Sequence, residues 1–338
     1  MVKKLNKSNR SNHIINAGIS AISVCVPSEQ IINEKDENSP DLLKFIGVKK
    51  KFFDLGKKIK TSELCYEAAK KIIEKRKINK NDINFIIFVS QTRDFLLPST
   101  SCIIQNKLNL KKNIICMDIP YGCSGYLYGL YISLLISTDI KKSGLLLTGD
   151  MSSKFIDHKD KKMMSLFGDA GSATLISFNK NKKHRSYFKF GTDGSGFKNL
   201  LYESDGFTKK SETHLFMNGP KIFEFAIDEI PKQLQELLID SNMKLSDIDY
   251  FVFHQANKFI LETLQKKLKI PNKKMLYSIE NFGNTNSASI PLTIAHNQVN
   301  FNNKTLLLCG FGVGLSWSTA IISTNELFKT NLLKYEKK

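Results

Sequence analysis

Residues 82–89 read Asp-Ile-Asn-Phe-Ile-Ile-Phe-Val, and residues 247–254 read Asp-Ile-Asp-Tyr-Phe-Val-Phe-His. Both stretches are short, rich in β-branched and aromatic residues and almost continuously apolar, which predicts two buried strands. Each follows a segment with the apolar spacing of an amphipathic helix, residues 62–75 before the first strand and residues 220–241 before the second. The chain therefore contains a repeat that opens with a helix and a buried strand.

The repeat continues beyond these strands in the same order. Further matching pairs are residues 113–119 with 274–279, 144–149 with 305–310, and 171–177 with 317–323. The order helix, strand, helix, strand, helix, strand, strand thus occurs twice, and this unit is too long for a solenoid. We predict two similar α/β halves, each built on a mostly parallel sheet.

The boundaries of the halves follow from the composition between and around them. We place the first half at residues 14–178 and the second at residues 186–327, with a lysine-rich junction between them. Residues 1–13 are expected to form a disordered basic tail, and residues 328–338 a second basic tail. The first twelve residues hold no apolar core, so no signal peptide is expected and a cytoplasmic location is predicted.

The 338 residues carry a formal net charge of +18, supplied mostly by lysine. Three interpretations are open: a solvated lysine-rich surface, an acidic protein partner, and nucleic acid. The lysines are spread along the whole chain, and no RNP motif, zinc finger or basic helix emerges, so no nucleic-acid partner is predicted. The longest apolar run, residues 126–136, is too short and too interrupted to cross a bilayer, so no membrane partner is predicted either.

The six cysteines are scattered, with no CxxC pair and no spacing typical of a metal site. We predict free thiols in a reducing compartment, no metal and no cofactor. Cys123 differs from the others because it lies between a predicted strand and a helical run at residues 124–138. The free amides and the dipole at a helix N-terminus favour a thiolate. The alternative is a buried structural cysteine on a tight turn.

Two further residues lie at or beyond strand ends in the second half. The position that matches His254 in the first half is Val89, so the halves differ where chemistry would occur. Asn284 lies in a cluster of Asn, Gly and Ser at residues 281–289. The alternatives are a structural histidine and a turn or helix cap. Because sites in α/β sheets form beyond the carboxyl ends of strands, we expect both residues to face Cys123.

A glycine-rich stretch, residues 310–317, reads Gly-Phe-Gly-Val-Gly-Leu-Ser-Trp and joins two predicted strands. It is either a flexible hairpin or a loop that presents a backbone amide to a developing oxyanion. No helix follows it, so it does not have the form of a phosphate-binding loop.

Together, these residues resemble the β-ketoacyl-[acyl-carrier-protein] synthase III family of the thiolase superfamily, over roughly residues 14–327. The pieces that match in family order are residues 121–125, 167–169, 217–219, 254–257, 283–285 with Ser289 and Pro291, and 311–317. Each piece alone is weak, and six in order are specific. The resemblance implies a thiolase-like α/β fold, with the two halves in a layered α-β-α-β-α arrangement.

The resemblance also implies roles for the candidate residues. Cys123 would hold the acyl group, and the backbone amides of Cys123 and Gly314 would form the oxyanion hole. His254 and Asn284 would bind the malonyl thioester carbonyl and stabilise the enolate that decarboxylation leaves. The implied reaction is condensation of an acyl-CoA or similar thioester with malonyl-acyl carrier protein, which gives a β-ketoacyl thioester. This reaction would initiate fatty acid synthesis. Alternatively, the chain would be a specialised paralogue that supplies acyl groups for a glycan or a secondary metabolite.

The resemblance also implies contacts with coenzyme A and with the carrier protein, and this sequence departs from the family pattern at both. The chain has no tryptophan near its N-terminus, where the family often stacks one on the adenine of coenzyme A, and its one tryptophan is Trp317. Lys258 and Phe259 follow the 254–257 motif, where the family commonly has an arginine for the carrier protein. The residues expected to meet an acidic carrier are Lys258, Lys266 and Lys267. In a homodimer, Phe95, Leu96 and Leu97 of the loop at residues 94–99 are expected to close the partner's acyl pocket.

Three other functions compete with condensation. An acyltransferase on the same fold would pass the acyl group from Cys123 to an alcohol or an amine, with less need of Asn284. A non-catalytic partner subunit would tend to lose the nucleophile, which this chain keeps. A basic nucleic-acid binder is the most distant of the three.

Overall fold

The computed structural model describes residues 12–14, 16–33, 40–179, 185–202, 215–326 and 328–336. The helices are α1 (Pro40–Ile46), α2 (Thr61–Lys75), α3 (Thr100–Lys107), α4 (Gly125–Ile140), α5 (Lys161–Leu166), α6 (Gly219–Ser241), α7 (Lys258–Lys267), α8 (Ile279–Phe282) and α9 (Ser289–His296). The strands are β1 (Asn12–Ile14), β2 (Ala17–Val26), β3 (Gln30–Ile32), β4 (Lys50–Phe52), β5 (Ile83–Val89), β6 (Ile115–Ile119), β7 (Ser143–Met151), β8 (Asp169–Phe178), β9 (Ser186–Thr192), β10 (Leu200–Tyr202), β11 (Leu215–Met217), β12 (Tyr250–Phe253), β13 (Met275–Leu276), β14 (Thr305–Gly312), β15 (Ser316–Ser323) and β16 (Lys329–Lys334).

Two six-stranded sheets carry the fold, in the orders β16-β2-β8-β7-β5-β6 and β1-β9-β15-β14-β12-β13. Helices α4 and α9 contact strands of both sheets and lie between them, whereas α2 and α3 cover the first sheet and α6 and α7 cover the second. The layers are therefore α-β-α-β-α, which confirms the fold class expected from the sequence.

The internal repeat is visible in the strand pairing. In the first sheet β5 pairs in parallel with β6 and β7, and in the second β12 pairs in parallel with β13 and β14. The first sheet is mostly parallel as expected, since only β2 with β8 and β7 with β8 are antiparallel. The second sheet is not, because β1 with β9, β9 with β15 and β14 with β15 are antiparallel. A short connection such as the one after Gly312 can join antiparallel strands only. The parallel part of each sheet is the part that leads to the candidate residues.

The ends of the chain exchange sheets. Strand β1 pairs with β9 of the second sheet, and β16 pairs in parallel with β2 of the first. The expected basic tail at residues 328–338 is therefore wrong for residues 329–334, and residues 12–13 of the expected N-terminal tail also belong to a strand. Residues 1–11 of that tail lie outside the described residues. A polar, lysine-bearing edge strand resembles a tail in sequence because few of its side chains enter the core.

Helix α4 is apolar on all sides because both of its neighbours are sheets. Leu127 and Leu130 are fully buried in it, and the buried Tyr126 hydroxyl lies 3.2 Å from the hydroxyl of Thr174 on β8. The expected helix at residues 124–138 is confirmed, shifted by one or two residues at each end. Among the described residues, no helix combines the length and apolar character that a bilayer crossing needs.

Candidate active site

Cys123 lies on the tight turn that leads from β6 into α4. The turn is closed by the Gly125 N–H, which donates to the Gly122 carbonyl at 2.8 Å. A Cβ atom at Gly122 would lie 2.1 Å from the side-chain oxygen of Gln91, so a larger residue there would displace the Gln91 side chain. The thiol is 6% exposed and faces a cavity of about 550 Å³.

The protonation state of Cys123 differs from our expectation, which was a thiolate. Burial raises the pKa of the Cys123 thiol to about 12, and the nearby carboxylate of Asp150 adds to this. Hydrogen bonds from the backbone amides of Val313 and of Cys123 itself act in the opposite direction. Burial outweighs the helix N-terminus, so the resting side chain is a thiol whose sulfur faces two amide donors.

The glycine-rich loop brings one of those donors. The resemblance implied the amide of Gly314 for the oxyanion hole, and that role stays a prediction. The loop amide that hydrogen-bonds the Cys123 sulfur is that of Val313, one residue earlier. Gly312 has φ +154°, and a Cβ atom there would lie 2.7 Å from the Cys123 Cβ and 2.8 Å from its sulfur. The loop therefore needs glycine at 312 so that its backbone can pass beside the thiol.

His254 follows β12, and its backbone N–H donates to the Cys309 carbonyl at 2.7 Å. The ring Nδ1 lies 2.7 Å from the Ser289 hydroxyl at the start of α9, and the ring meets Phe311 edge-on. The side chain is 1% exposed, and burial lowers the pKa of His254 to about 3, against a hydrogen bond with the Asn286 backbone that raises it. The imidazole is therefore neutral at ordinary pH and can donate or accept one hydrogen bond at each nitrogen.

Asn284 is held on both its backbone and its side chain. Its N–H donates to the Leu166 carbonyl at 2.9 Å, and its own carbonyl accepts from Gly168 at 3.0 Å. Its side-chain oxygen accepts from the Asn286 N–H at 2.9 Å, and its NH₂ lies 3.5 Å from the Ala256 carbonyl. With the oxygen occupied, the NH₂ group is the part of Asn284 that can serve a ligand.

The three predicted residues meet in the wall of one cavity, and the repeat explains why. Cys123 comes from the end of the first parallel set of strands, and His254 and Asn284 come from the second. Apolar walls surround them, formed by Phe155, Leu166, Phe167, Leu200, Leu215, Met217, Ile222, Ile260, Phe311 and Val313. A polar end is formed by Ser90, Gln91, Thr92 and Arg93.

Sequence reasoning missed two buried side chains that act on Cys123, one through a hydrogen bond and one through its charge. Asn286 is buried, and its side-chain oxygen lies 3.6 Å from the Cys123 sulfur. Asp150 is fully buried at the end of β7, where it accepts hydrogen bonds from the Gln91 N–H at 2.7 Å and from the Ser287 hydroxyl at 2.6 Å. Burial raises the pKa of Asp150 to about 6. The signals were an aspartate that closes an apolar run and a second asparagine two residues after Asn284.

The residues predicted for partners lie outside the cavity. Leu96 and Leu97 are 70% and 86% exposed, and neither they nor Phe95 lines the pocket of their own chain. Lys258 begins α7 next to Asn257, which lines the pocket. Lys266 and Lys267 lie at the opposite end of α7, about 13 Å along its axis.

Comparison with known proteins gives the same picture along the whole chain. The family model for 3-oxoacyl-[acyl-carrier-protein (ACP)] synthase III matches residues 117–194, and the model for its C-terminal part matches residues 238–324.

Individual relatives match over almost their full length. The β-ketoacyl-[acyl-carrier-protein] synthase III of Lactococcus lactis is 32% identical over 324 residues, which cover 91% of this chain and 99% of the relative. The protein of the same name from Acholeplasma laidlawii is 31% identical and covers 92% and 97%. The crystal structure of a 3-oxoacyl-(acyl-carrier protein) synthase from Burkholderia xenovorans superposes with a TM-score of 0.92 at 32% identity, over 98% of this chain and all of that one. The chain belongs to the β-ketoacyl-[acyl-carrier-protein] synthase III family of the thiolase superfamily.

Proposed function

We propose that this protein catalyses the decarboxylative condensation of an acyl thioester with malonyl-acyl carrier protein, which gives a β-ketoacyl thioester. The observation that carries the proposal is that a cysteine beside two amide donors, a neutral histidine and an asparagine whose NH₂ makes a long 3.5 Å hydrogen bond line one cavity. The names of the relatives describe synthases that use an acyl carrier protein.

The first half-reaction is acyl transfer to Cys123. The sulfur attacks the thioester carbonyl, a new C–S bond forms, the bond to the donor's sulfur breaks, and the Cys123 proton leaves with the donor thiol. The negative charge that develops on the carbonyl oxygen needs donors that are already in place. The amides of Cys123 and Val313 are those donors, since both point at the sulfur from opposite loops.

The second half-reaction uses the other two side chains. His254 and the NH₂ of Asn284 donate to the carbonyl oxygen of the malonyl thioester, loss of carbon dioxide leaves an enolate on that oxygen, and the enolate carbon attacks the acyl-Cys123. The C–S bond to Cys123 then breaks, and the released sulfur takes up a proton. A neutral His254 suits this role because it donates a hydrogen bond without transferring its proton.

The cavity supports an apolar acyl group. Besides the polar residues near Gln91 and Arg93, the lining includes Lys154 and Asn257, and most of the remaining wall is aliphatic or aromatic. Trp317 does not take the place of a tryptophan at the pocket mouth, because it lies on β15 and packs edge-on against Phe225. The donor is proposed as an acyl-CoA or a related thioester, whose head group is bound without that tryptophan.

For the carrier protein, we propose a contact at the start of α7. Lys258 is about half exposed beside the pocket and forms a long ion pair of 3.9 Å with Glu262, so its amino group can meet an acidic partner. Lys267 donates to the Ile227 carbonyl at 2.8 Å and lies far from the mouth, so we assign Lys266 and Lys267 a lesser part. Reversal of the charge at Lys258 should raise KM for the carrier more than KM for the acyl donor.

A homodimer is proposed from the edge of the first sheet. In the described part of the chain β6 pairs with β5 alone, and its Ile115 and Met117 side chains are exposed. The neighbouring loop carries the exposed Phe95, Leu96 and Leu97, and the Lys60 Nζ lies 4.4 Å from the centre of the Phe95 ring. An uncovered apolar edge strand is a template for a second copy. Light scattering that found a monomer at working concentrations would contradict the dimer.

The function is tested by separating the two half-reactions. Intact mass after incubation with a panel of acyl-CoA thioesters should show one acyl group on the protein and none on Cys123→Ala. Substitution of the exposed Cys102 by Ser is the matched control and should keep the adduct. With malonyl-acyl carrier protein, carbon dioxide release should require His254 and Asn284, whereas acylation should not.

Two results would contradict the proposal. If acylation persisted in Cys123→Ala, Cys123 would not be the nucleophile. Acylation that passes to alcohols or amines without release of carbon dioxide would favour the acyltransferase instead. A role in fatty acid initiation or in a specialised pathway stays a prediction from the sequence, and so does the cytoplasmic location.

A further inference from the structure

Asn286 contacts all three of the proposed active-site residues. Its side-chain oxygen accepts from the Cys123 thiol, with 3.6 Å between oxygen and sulfur. Its backbone N–H donates to the side-chain oxygen of Asn284 at 2.9 Å, and its backbone also forms a hydrogen bond with His254. Asn286 therefore links Cys123, His254 and Asn284 through its side chain and its backbone.

The side chain of Asn286 is itself fixed. Its NH₂ group donates to the Ser152 hydroxyl at 2.9 Å, which settles which end of the amide faces the sulfur. The backbone has φ +47°, in the left-handed region that asparagine tolerates better than most residues. The side chain is almost completely buried, so water does not compete for its carbonyl oxygen.

The sulfur therefore has donors and an acceptor in defined directions. The amides of Val313 and Cys123 point at its lone pairs, and the carbonyl oxygen of Asn286 receives its hydrogen. A thiol with both kinds of partner has a fixed rotation about the Cβ–S bond. Fixed orientation of a nucleophile is a recognised source of rate, because the reacting atoms are held near the attack geometry before reaction.

We propose that Asn286 is a positioning residue that holds the Cys123 thiol hydrogen on its side-chain oxygen, so that this hydrogen does not lie between the sulfur and the incoming thioester carbonyl. This rests on the proposed role of Cys123 as the acyl acceptor. Asn286 takes no proton, because an amide oxygen is not a base at neutral pH. The thiol proton still leaves with the donor thiol when the C–S bond forms.

The test uses substitutions that separate the side chain from the backbone. Asn286→Gly accepts the positive φ and keeps the backbone contacts, but removes the acceptor. Alkylation of Cys123 by iodoacetamide should then move to lower pH, because the acceptor stabilises the thiol form. Asn286→Asp should move alkylation to higher pH through the added charge. The second-order rate of acylation in Asn286→Gly should fall about tenfold, or ~1.4 kcal/mol.

The matched control is Asn242→Gly. Asn242 also has a positive φ, +55°, and lies at the C-terminus of α6, so it reports the general cost of replacing a left-handed asparagine. Its alkylation profile should equal that of the unaltered protein. Opposite shifts for Gly and Asp at 286 are not expected of a residue with a purely structural role.

Two outcomes overturn the proposal. The first is an unchanged alkylation profile in Asn286→Gly, and the second is an equal change in Asn242→Gly. If Asn286→Gly is not recovered folded, Ser152→Ala takes its place, because it removes the hydroxyl that holds the Asn286 amide. The pH profile of Cys123 alkylation should then shift to lower pH by a smaller amount. An unshifted profile would overturn the proposal. Alkylation needs neither malonyl carrier nor turnover, so this result is independent of whether condensation is the reaction.

Discussion

At the scale of single residues, the site depends on close approach between two loops. Gly312 passes beside Cys123 at a distance that leaves no room for a side chain, and this contact places the Val313 amide on the sulfur. The distance between a nucleophile and its oxyanion donors must be correct to a fraction of an ångström. Gly312 is thus as necessary to the site as the charged and polar residues.

Gly312→Ala is expected to reduce kcat/KM for acylation by about 100-fold, because the added Cβ must displace either the thiol or the Val313 amide. Gly194→Ala is the matched control, since a Cβ there meets nothing within 4 Å. Steady-state acylation kinetics on both variants provide the measurement. Equal activities for the two would show that the loop does not constrain Cys123.

His254 makes stability depend on pH. Burial lowers its pKa to about 3 from an ordinary value of 6.5, so between these values the unfolded chain binds a proton that the folded chain does not. The folded state therefore loses stability as the pH falls below about 6.5. Relative to His254→Gln, the unaltered protein should lose roughly 2 kcal/mol between pH 6.5 and 5.

The measurement is urea unfolding of the two proteins across that range. Asp150 and Asp169, whose pKa values burial raises to about 6, act in the opposite direction. They are present in both proteins and cancel in the comparison. A difference between the proteins that stays constant with pH would contradict a neutral, buried imidazole.

At the scale of elements, α4 links the chemistry to the core. Its first turn follows Cys123, and its apolar sides pack against both sheets, so it cannot shift without disturbing either half. The sequence indicated this helix correctly because an all-round apolar pattern leaves no solvent face. The sequence did not show which side chains of α4 are buried, because a helix that is apolar on all sides has no polar face to mark the solvent side.

Leu130→Ala is expected to destabilise the protein by about 2–5 kcal/mol, because Leu130 is fully buried between the sheets. Leu135→Ala, five residues further along the same helix, should cost under ~0.5 kcal/mol, since Leu135 is 41% exposed. Chemical denaturation of the two variants compares the same substitution in the same helix. Equal losses would mean that α4 is not clamped between two layers.

At the scale of the whole molecule, the exchange of terminal strands makes the two halves one unit. Strand β16 follows the second half in sequence but completes the first sheet, and β1 comes at the start of the first half but pairs in the second sheet. The halves share a repeat but cannot be separated by one cut in the chain. This exchange also explains why a polar C-terminal segment is ordered.

Leu333 of β16 packs against the core cluster under α2, whereas Leu332 points outward. Leu333→Asp should destabilise the protein by about 1–3 kcal/mol, and Leu332→Asp by under ~0.5 kcal/mol. Thermal unfolding of both variants checks this. A neutral Leu333→Asp would show that the last strand adds nothing to the first sheet.

The sequence by itself predicted the repeat, the two α/β halves and the strand-end positions of Cys123, His254 and Asn284, because apolar periodicity and strand-end polarity are local properties of the chain. The layered arrangement followed from the resemblance that the six motifs carry. Tertiary structure decided which loop amide reaches the sulfur, the contact of Asn286 with the thiol, the buried Asp150 and the pairing of β16. These depend on distances between segments far apart in sequence. It also decided the charge of Cys123, since the helix N-terminus is visible in the sequence but the depth of burial that outweighs it is not.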